Sequence, residues 1–351
     1  MAMLTSPPPP GPSEALAARQ LVLGRLTSAA MHAAVALGVP EALRDSPATT
    51  QELAGTLGAD GPALLRLLDA LVALGVADRH PERRYGLTGL GRALLADAYG
   101  SAAPTALLAG GEIGKAWDGL LHSVRTGKPA FVTQTGIDVF SYLAADPTTA
   151  ATFYSSQAAD LQLTLSWLDR FNFAKYTTIV DVGGGDGALL AHVLDRCAAA
   201  RGILIDTPTT VAAAHERFAS TGLSDRTTTV TGDFFRAVPS EGDLYVLRDV
   251  LHDWPDERCR DLLAVCKRDM PKTATLLVID RTIDPTNQSK DCMDEAEVLS
   301  HLMDLYMLSV LGGGRERTAA ELDELLTGAG FRILERHDQG HATAVEAAPD
   351  G

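Results

Sequence analysis

A glycine-rich segment at residues 181–187, with the sequence DVGGGDG, carries residue types that bind small polar ligands. It follows residues 177–180, a β-branched run that predicts a buried strand, and it precedes residues 188–194, whose apolar side chains recur with helical periodicity. Glycine lets the backbone bend with positive φ and lets a ligand lie against it, and the start of the next helix offers free N–H groups. We therefore predict the opening strand, turn and helix of a nucleotide-binding βαβ unit.

Two aspartates, Asp181 and Asp186, indicate which ligand this turn suits. The spacing Gly183-x-Gly185-x-x-Ala188 also fits the dinucleotide fingerprint, which is a weak signal by itself. Both carboxylates would repel a diphosphate, whereas S-adenosylmethionine carries a sulfonium and an ammonium group. A cofactor site for S-adenosylmethionine is therefore favoured, and the alternative is a tight turn without a ligand.

Apolar and β-branched runs alternate with helical stretches from residue 177 onwards, which predicts an α/β fold with a doubly wound, mainly parallel sheet. The predicted strands are residues 177–180, 203–205, 228–230, 244–247 and 276–279, followed by two closing strands at 331–334 and 342–345.

Ligands of such sheets bind at the carboxyl ends of the strands. Asp206 follows the second predicted strand, about 20 residues after the glycines, where an acid accepts hydrogen bonds from ribose hydroxyls. Asp233 follows the third strand, where it could accept from the adenine amino group, and Phe234 could lie against the adenine face. A helix cap is the alternative role for Asp206, and an ordinary turn is the alternative for Asp233.

His252 lies just beyond the fourth predicted strand, above the same crevice. Its unperturbed pKa near 6.5 suits a general base at neutral pH. Attack on a methyl sulfonium requires an oxygen nucleophile that has lost its proton, and His252 could take that proton if a carboxylate orients its ring. Asp280 and Glu316 are the candidates for that carboxylate, and a solvated surface role is the alternative for each.

The N-terminal third has a different pattern. Residues 13–43 predict helices with too many apolar side chains for one solvated face, so they should pack against another chain or domain. Residues 48–95 have the outline of a winged helix, with a capped helix from Thr50, a leucine-rich helix at 61–74 and a β-wing ending at 83–88. That second helix carries only Arg66 and Asp69 among its leucines, which disfavours DNA binding and favours dimerisation.

Composition excludes several partners. The 351 residues include 30 basic and 45 acidic side chains, for a net charge of −15, which argues against nucleic acid and anionic membranes. The four cysteines form no C-x-x-C pair and no zinc-type spacing, so reduced thiols and a cytosolic location are expected. We find neither a signal peptide nor an apolar run of about 20 residues that could span a bilayer.

Four motifs, DVGGGDG, GDFF, LHDWPDE and LGGGRERT followed by ELDELLTGAGF, together resemble the S-adenosylmethionine-dependent small-molecule O-methyltransferases. This dimeric family includes plant caffeate-type and bacterial antibiotic-tailoring enzymes. The segment TTQELAGTLGADGPALLRLLDALVALGV resembles its winged-helix dimerisation domain. The resemblance covers nearly the whole chain.

The resemblance implies a role for each matching position. His252 would be the catalytic base, Glu316 would orient it, and Asp280 stands where the plant enzymes have glutamate, one methylene longer. The implied cofactor contacts are Gly183 and Gly185 for the methionine part, Asp206 and Thr207 for the ribose, Asp233 and Phe234 for the adenine, and Arg248 near the adenosine. Asp181, beside the glycine-rich turn, is a further predicted cofactor contact. The implied acceptor contacts are Phe153, Gln157, Met303 and Met307. The stretch 290–297 has no counterpart that we can identify.

We therefore predict an O-methyltransferase that acts on a phenol or enol of an aromatic natural product, as a homodimer and without a metal. The predicted divisions are a disordered tail (1–12), a winged-helix-like dimerisation domain (13–100), linker and acceptor-pocket helices (101–175) and a Rossmann-like catalytic domain (176–351). Aromatic residues within 101–175 could form core or line a pocket for a flat substrate. A transcription factor, an NAD-dependent oxidoreductase and a relative with a changed tailoring reaction remain as alternatives.

Overall fold

The structure is a computed structural model that describes residues 11–284, 295–339 and 342–350. The chain divides into two compact units, Met1–Glu112 and Ile113–Gly351. Among the described residues, no helix combines the length and the apolar character needed to cross a membrane. The predicted tail falls largely on residues 1–10 and the stretch 290–297 largely on 290–294, and both lie outside the described residues. The predicted domain boundaries remain predictions.

The first unit is mainly helical with one small sheet. Its elements are α1 (Pro12–Leu37), α2 (Val39–Ala42), β1 (Ala48–Thr49), α3 (Thr50–Leu57), α4 (Gly61–Ala73), β2 (Ala77–His80), a 3₁₀ turn (Pro81–Arg83), β3 (Arg84–Leu87), α5 (Gly89–Arg92) and α6 (Ala103–Gly110).

Strands β1, β3 and β2 form an antiparallel sheet in that order, and α3 and α4 precede the β2–β3 wing, which confirms the winged-helix outline. A capping box starts α3, but its first member is Thr49, one residue before the predicted Thr50, because the Thr49 side chain accepts from the Glu52 N–H. Helix α4 buries Leu64, Leu68 and Leu71, so its leucines form core.

Helix α1 leaves large apolar side chains in solvent. They are between 53% and 83% exposed, and they are Leu16, Leu21, Val22, Leu23 and Leu26. Contiguous exposed apolar surface of this kind commonly marks a protein interface.

The second unit alternates strands and helices. Its helices are α7 (Glu112–Lys115), α8 (Leu120–Thr126), α9 (Ala130–Thr135), α10 (Val139–Ala145), α11 (Pro147–Leu168), α12 (Ala188–Arg196), α13 (Pro208–Ser220), α14 (Asp256–Asp269), α15 (Glu295–Val310) and α16 (Ala319–Gly328). Its strands are β4 (Thr178–Val182), β5 (Arg201–Asp206), β6 (Thr227–Thr231), β7 (Leu244–Arg248), β8 (Thr275–Arg281), β9 (Phe331–Gln339) and β10 (Ala342–Pro349). Its 3₁₀ turns are Ala116–Gly119, Phe173–Lys175, Ser224–Arg226 and Leu251–Asp253.

The seven strands form one sheet in the order β6-β5-β4-β7-β8-β10-β9. Strands β4 to β8 pair in parallel, and β10 pairs antiparallel with both β8 and β9. All seven predicted strands are present. The strand order reverses between β4 and β7, and such a switch point is where ligands bind in open α/β sheets.

Both faces of this sheet are covered, as the continuous apolar runs require. In β7, Leu244 and Val246 pack into one apolar cluster with α11, α12 and α13. Tyr245 and Leu247 point the other way and pack against α14 and α16. This alternation confirms the doubly wound prediction and leaves the carboxyl ends of β4 and β7 open for a site.

Candidate active site

The turn after β4 has the glycine geometry that the sequence predicts. Gly183, Gly185 and Gly187 have φ of +71°, +58° and +77°, a region that other residues rarely adopt. A Cβ on Gly183 would approach Val250 Cγ2, beyond the end of β7, to 3.0 Å. The glycines therefore let the turn pass close to the second strand of the switch point.

Asp206 ends β5 and is only 8% exposed. Its Oδ2 accepts a hydrogen bond of 2.8 Å from the Gly185 N–H, and its Oδ1 accepts one of 2.6 Å from the Thr207 N–H. Each oxygen keeps a second lone pair, and Asp206 lines the cleft beside the glycine turn. The carboxylate is thus fixed in place with capacity left to accept from a ligand's hydroxyls.

Asp181, on β4, is 2% exposed, and its Oδ2 has no hydrogen-bond partner among the described residues. Burial, followed by the nearby negative charge of Asp206, raises its pKa to about 7, although Arg248 opposes the shift. A buried carboxylate oxygen without a partner is costly unless a donor or cation reaches it. Asp181 also lines the cleft, so the site fits a cofactor that carries an ammonium group.

The cleft is an open cavity of about 360 Å³ within the second unit. Its walls are formed by the glycine turn, by the ends of β4 to β7 and by side chains of α10 and α11. Aromatic residues dominate its apolar lining: Phe140, Phe153, Tyr154, Phe234, Phe235 and Trp254.

Asp233, Phe234 and Arg248 also line this cleft. Asp233 Oδ1 accepts from the Phe235 N–H at 2.9 Å, and the Phe234 ring lies over the glycine turn, 3.5 Å from the position of a Cβ on Gly183. Arg248 does not reach into the cleft as a free cation, because its Nη2 lies 2.7 Å from Asp249 Oδ2.

His252 lies on the 3₁₀ turn after β7 and is 6% exposed. Its Nδ1 lies 3.3 Å and 3.2 Å from the two carboxylate oxygens of Glu316, which is 1% exposed. Its Nε2 lies 3.5 Å from Asp253 Oδ1. The predicted His252–Glu316 pair is therefore close in space, and the Nε2 side faces away from Glu316.

The segment around Glu316 also holds the histidine turn. The Arg315 N–H donates to the His252 carbonyl at 2.8 Å, and a Cβ on Gly314 would lie 2.5 Å from that carbonyl oxygen, so this close approach requires glycine. Arg317, 3% exposed, donates to the carbonyls of Leu251 at 2.8 Å and Trp254 at 2.9 Å. His252 is thus held through the backbone of its turn as well as through its ring.

The charges around the His252 ring change its pKa from the unperturbed value that the sequence analysis assumed. Burial lowers the pKa of His252, but Glu316, Asp253 and Asp280 together outweigh burial and hold that pKa well above its usual range. Burial raises the pKa of Asp280 to about 8, although His252 opposes the shift. Asp280 therefore keeps its proton to a higher pH than the ordinary carboxylate that the sequence analysis assumed.

Asp280 lies close to His252, with one of its oxygens and a ring nitrogen within 4.8 Å, but no hydrogen bond joins them. Its buried Oδ1 has no partner among the described residues. Of the two predicted carboxylates, only Glu316 lies within hydrogen-bonding distance of the His252 ring, and Asp280 affects the pKa of His252 through space.

The predicted acceptor residues divide into two sets. Phe153 and Gln157, on α11, line the cleft. Met303 and Met307 lie on α15, where Met303 is half-buried and Met307 is 3% exposed. Neither methionine is among the described residues that line the cleft. The predicted catalytic residues His252, Asp280 and Glu316 do not line the cleft, although Asp253, the neighbour of His252, does.

Sequence reasoning missed three charged residues. Asp160, on α11, lies 3.8 Å from Arg248 and 3.7 Å from Arg281, and Arg281 Nε lies 3.9 Å from Glu316 Oε1. Arg317 was missed although it stands in the RERT motif, where a buried arginine beside Glu316 could have been suspected. Nothing in the local pattern distinguishes Asp160 from a surface acid.

Similarity to known proteins extends over most of the chain. A family profile described as the O-methyltransferase domain matches residues 117–332, and one described as the O-methyltransferase dimerisation domain matches residues 19–97. O-methyltransferase SfmM3 of Streptomyces lavendulae is 39% identical over 336 residues, which cover 95% of this chain and 97% of that protein.

Two solved structures extend this similarity. That of LaPhzM has a TM-score of 0.88 at 34% identity and covers 97% of this chain and 100% of its own. That of the O-methyltransferase NcsB1 from neocarzinostatin biosynthesis, in complex with S-adenosylmethionine and 2-hydroxy-5-methyl naphthoic acid, has a TM-score of 0.78 at 32% identity and covers 92% and 96%.

The NAD-dependent alternative has no support in these similarities, and the cofactor prediction is confirmed. A family profile over more than half of the chain, relatives above 30% identity over nearly its whole length, and a cleft that suits the same cofactor agree with one another. The chain belongs to the S-adenosylmethionine-dependent O-methyltransferases and carries their dimerisation domain.

Proposed function

We propose that this enzyme methylates a phenolic or enolic hydroxyl of an aromatic natural product, an antibiotic intermediate, with His252 as the general base. The observation that carries this proposal is the buried pair of His252 and Glu316, in which Nδ1 lies 3.2 Å from a carboxylate oxygen and the next residue, Asp253, lines the cofactor cleft.

The pair determines which nitrogen takes the proton. Because ionised Glu316 can only accept, it favours the ring form that carries hydrogen on Nδ1, which leaves Nε2 with a lone pair. Nε2 then accepts the proton of the acceptor hydroxyl, and the charge that develops on the ring is stabilised by Glu316. The bound cofactor supplies the methyl group, and the protein holds oxygen, methyl carbon and sulfur in line.

The cofactor contacts follow from the side chains that line the cleft. We assign Gly183, Gly185 and Asp181 to the methionine part, and Asp206 with Thr207 to the ribose. The adenine is assigned to the Asp233 carboxylate and the Phe234 ring. Arg248, which forms an ion pair with Asp249, is also assigned to the adenosine.

The acceptor is proposed to be aromatic because of the cleft's walls. The rings of Phe140 and Trp254 stack with centroids 5.7 Å apart and an interplanar angle of 18°. Phe153 and Gln157 stand on the same cleft from α11. Met303 and Met307 remain proposed acceptor contacts. Flat aromatic walls suit a planar ring system.

We also propose a homodimer, because the exposed leucines of α1 lie within the matched dimerisation domain. A cytosolic location stays a prediction.

The function is tested by methylation of a panel of phenolic and enolic acceptors, with products identified by the mass gain of one methyl. His252→Ala should lower the rate by roughly 10²–10⁴, the usual contribution of a positioned base. Its affinity for S-adenosylhomocysteine should stay within about threefold of the native value, since that ring is outside the cofactor contacts. His215→Ala, an exposed histidine on α13, is the control and should keep full rate.

Full activity in His252→Ala would show that proximity alone carries the reaction and would remove His252 as base. A product mass other than that of the methylated acceptor would favour the remaining alternative, a relative that keeps the cofactor site but catalyses a different tailoring reaction.

A further inference from the structure

The side chain of Glu316 is fully buried, at 0% exposure, and two groups that can carry a positive charge lie next to it. The first is the His252 ring, whose Nδ1 lies 3.2 Å from Oε2. The second is the Arg281 guanidinium at the end of β8, whose Nε lies 3.9 Å from Oε1. A buried charge is very costly unless it is paired. Glu316 therefore depends on these two groups to stay ionised.

General-base catalysis removes one of these two charges. A histidine accepts a proton only while it is neutral, and neutral His252 no longer offers Glu316 a positive charge. Glu316 must nevertheless be ionised at that stage, because an acceptor-only carboxylate is what selects the ring form with hydrogen on Nδ1. Among the residues that the structure describes, Arg281 is then the cation that remains next to Glu316.

Arg281 is also the arginine of this region whose charge is least committed elsewhere. Three others each have a close acidic partner: Arg317 with Asp256 at 2.7 Å, Arg315 with Glu321 at 2.8 Å, and Arg248 with Asp249 at 2.7 Å. Arg281 has no acid that close, since Asp160 on α11 lies 3.7 Å from its Nη2. Its side chain is 13% exposed, and its Nη1 is buried without a partner in the described part of the chain. A charge with so little solvent around it is weakly screened, so it acts on Glu316 across this distance.

We propose that Arg281 is a positioning residue for the methyl transfer: its guanidinium keeps Glu316 ionised while His252 is neutral, the charge state in which the ring accepts the proton of the acceptor hydroxyl. This inference rests on the function proposed above. Arg281 is not among the described residues that line the cleft, so it acts through Glu316 and not on the reacting atoms. A cation here also opposes protonation of the His252–Glu316 pair, so the pair releases its proton at a lower pH than it would without Arg281.

Other charged and titratable groups surround this pair, from each of the elements packed around it. The acids are Asp249 and Asp253 after β7, Asp280 on β8, Asp160 on α11, Asp256 on α14 and Asp304 on α15, the arginines are Arg248, Arg315 and Arg317, and Tyr306 on α15 adds a phenol. Burial raises the pKa of Asp253 to about 7 and that of Asp280 to about 8, so both titrate near neutral pH. The role of Arg281 is therefore read from the difference between variants that differ in one charge.

NMR can follow the His252 ring without an acceptor, in the full-length protein loaded with S-adenosylhomocysteine and labelled with ¹³C at histidine Cε1. Among the nine histidines, the His252 signal is the one missing from His252→Ala. In Arg281→Met the midpoint of the His252 titration should lie about one pH unit above the native value, the lower end of the shifts that a charge at this distance produces. Arg281→Lys keeps the charge and should bring the midpoint back to within about half a unit of native. Arg281→Gln replaces Arg281→Met if the latter does not fold.

Asp160→Asn is the matched control, because it breaks the same contact between Asp160 and Arg281 but leaves the cation in place. Its midpoint should stay at or slightly below the native value. The acid limb of kcat/KM, measured with the acceptor of the panel that reacts fastest, should move in the same direction as the NMR midpoint in each variant. Above that limb, Arg281→Met should keep its rate within about threefold of native, because the ring is then neutral in both proteins.

The proposal is overturned if the His252 midpoint in Arg281→Met equals the native value, or if Arg281→Met and Asp160→Asn raise it equally. A rate that falls at every pH while the midpoint stays in place would also overturn it, because Arg281 would then serve only packing. Any of these results with normal methylation by the native enzyme leaves the proposed function intact. If no acceptor in the panel is methylated, the proposed function fails, whereas the NMR midpoints still support or overturn the effect of Arg281 on the pair.

Discussion

We expect Asp181 to make cofactor affinity depend on pH, because burial raises its pKa. Its pKa is raised from 3.8 to about 7, chiefly by burial. A carboxyl group with that pKa is ionised in about a tenth of molecules at pH 6, about half at pH 7 and about nine-tenths at pH 8. If only the ionised form pairs with the ammonium group of the cofactor, affinity should rise about tenfold from pH 6 to pH 8.

Calorimetric titration of S-adenosylhomocysteine across that range measures this dependence directly. Binding near pH 7 should release a fraction of a proton, seen as a dependence of the heat on the buffer's ionisation enthalpy. Asp181→Asn should bind more weakly than the native protein at about pH 8 and should lose the pH dependence. Asp233→Asn is the matched control, since Asp233 is assigned to the adenine and is not among the charges that raise the pKa of Asp181, so it should weaken binding while keeping the slope.

The contribution of Asp181 to folding stability should fall as the pH rises, whereas cofactor affinity should increase. A carboxyl whose folded-state pKa lies above its unfolded value destabilises the fold once the pH exceeds the unfolded value, because the folded state holds the proton more strongly. Asp181→Asn should therefore raise the Tm of the cofactor-free protein at about pH 8. A native affinity that is flat from about pH 6 to pH 8 would refute the assignment of Asp181 to the ammonium group, whatever the variant does.

Three further predictions concern the rest of the molecule. Asp206→Ala should weaken S-adenosylhomocysteine at least about tenfold through lost charge-assisted hydrogen bonds, and an unchanged Kd by calorimetry would remove the ribose assignment. The acid limb of the kcat/KM profile should lie above pH 6.5, because the raised pKa keeps His252 protonated below it, and Glu316→Gln should move that limb to lower pH while lowering the plateau rate. Light scattering should give twice the chain mass of 37.0 kDa, and Leu21→Glu with Leu23→Glu on α1 should shift it towards the monomer, whereas a native monomer at micromolar concentration would contradict the dimer.

Local sequence patterns were enough to predict much of the fold. Backbone preferences depend on residues that are close in sequence, and they are visible in the β-branched runs, the glycine turn after β4 and the helical periodicity between strands. That is why every predicted strand of the second unit was found, with differences mainly at the ends. The one-residue error at the start of α3 was avoidable, since only Thr49 stands three residues before Glu52, the spacing of a capping box.

The roles of individual acidic residues could not be predicted from local sequence patterns. Glu316 stands 64 residues from His252, and residue type alone left both Glu316 and Asp280 as candidates to orient the ring. Asp160 gives no local signal of its contacts, because these depend on how α11 approaches the strand ends. Burial is likewise a tertiary property, and it raises the pKa of Asp280 to about 8, which no local pattern indicates.

The sequence by itself thus determined the α/β architecture, the position of the cofactor turn and the histidine available for proton transfer, because each depends on residue type and short-range spacing. The tertiary structure decided which carboxylates are paired, which are buried and which remain open to a ligand. Charge interactions and desolvation act through space, and their sign at Asp181, Asp253 and Asp280 follows from neighbours that the chain brings together only when it folds.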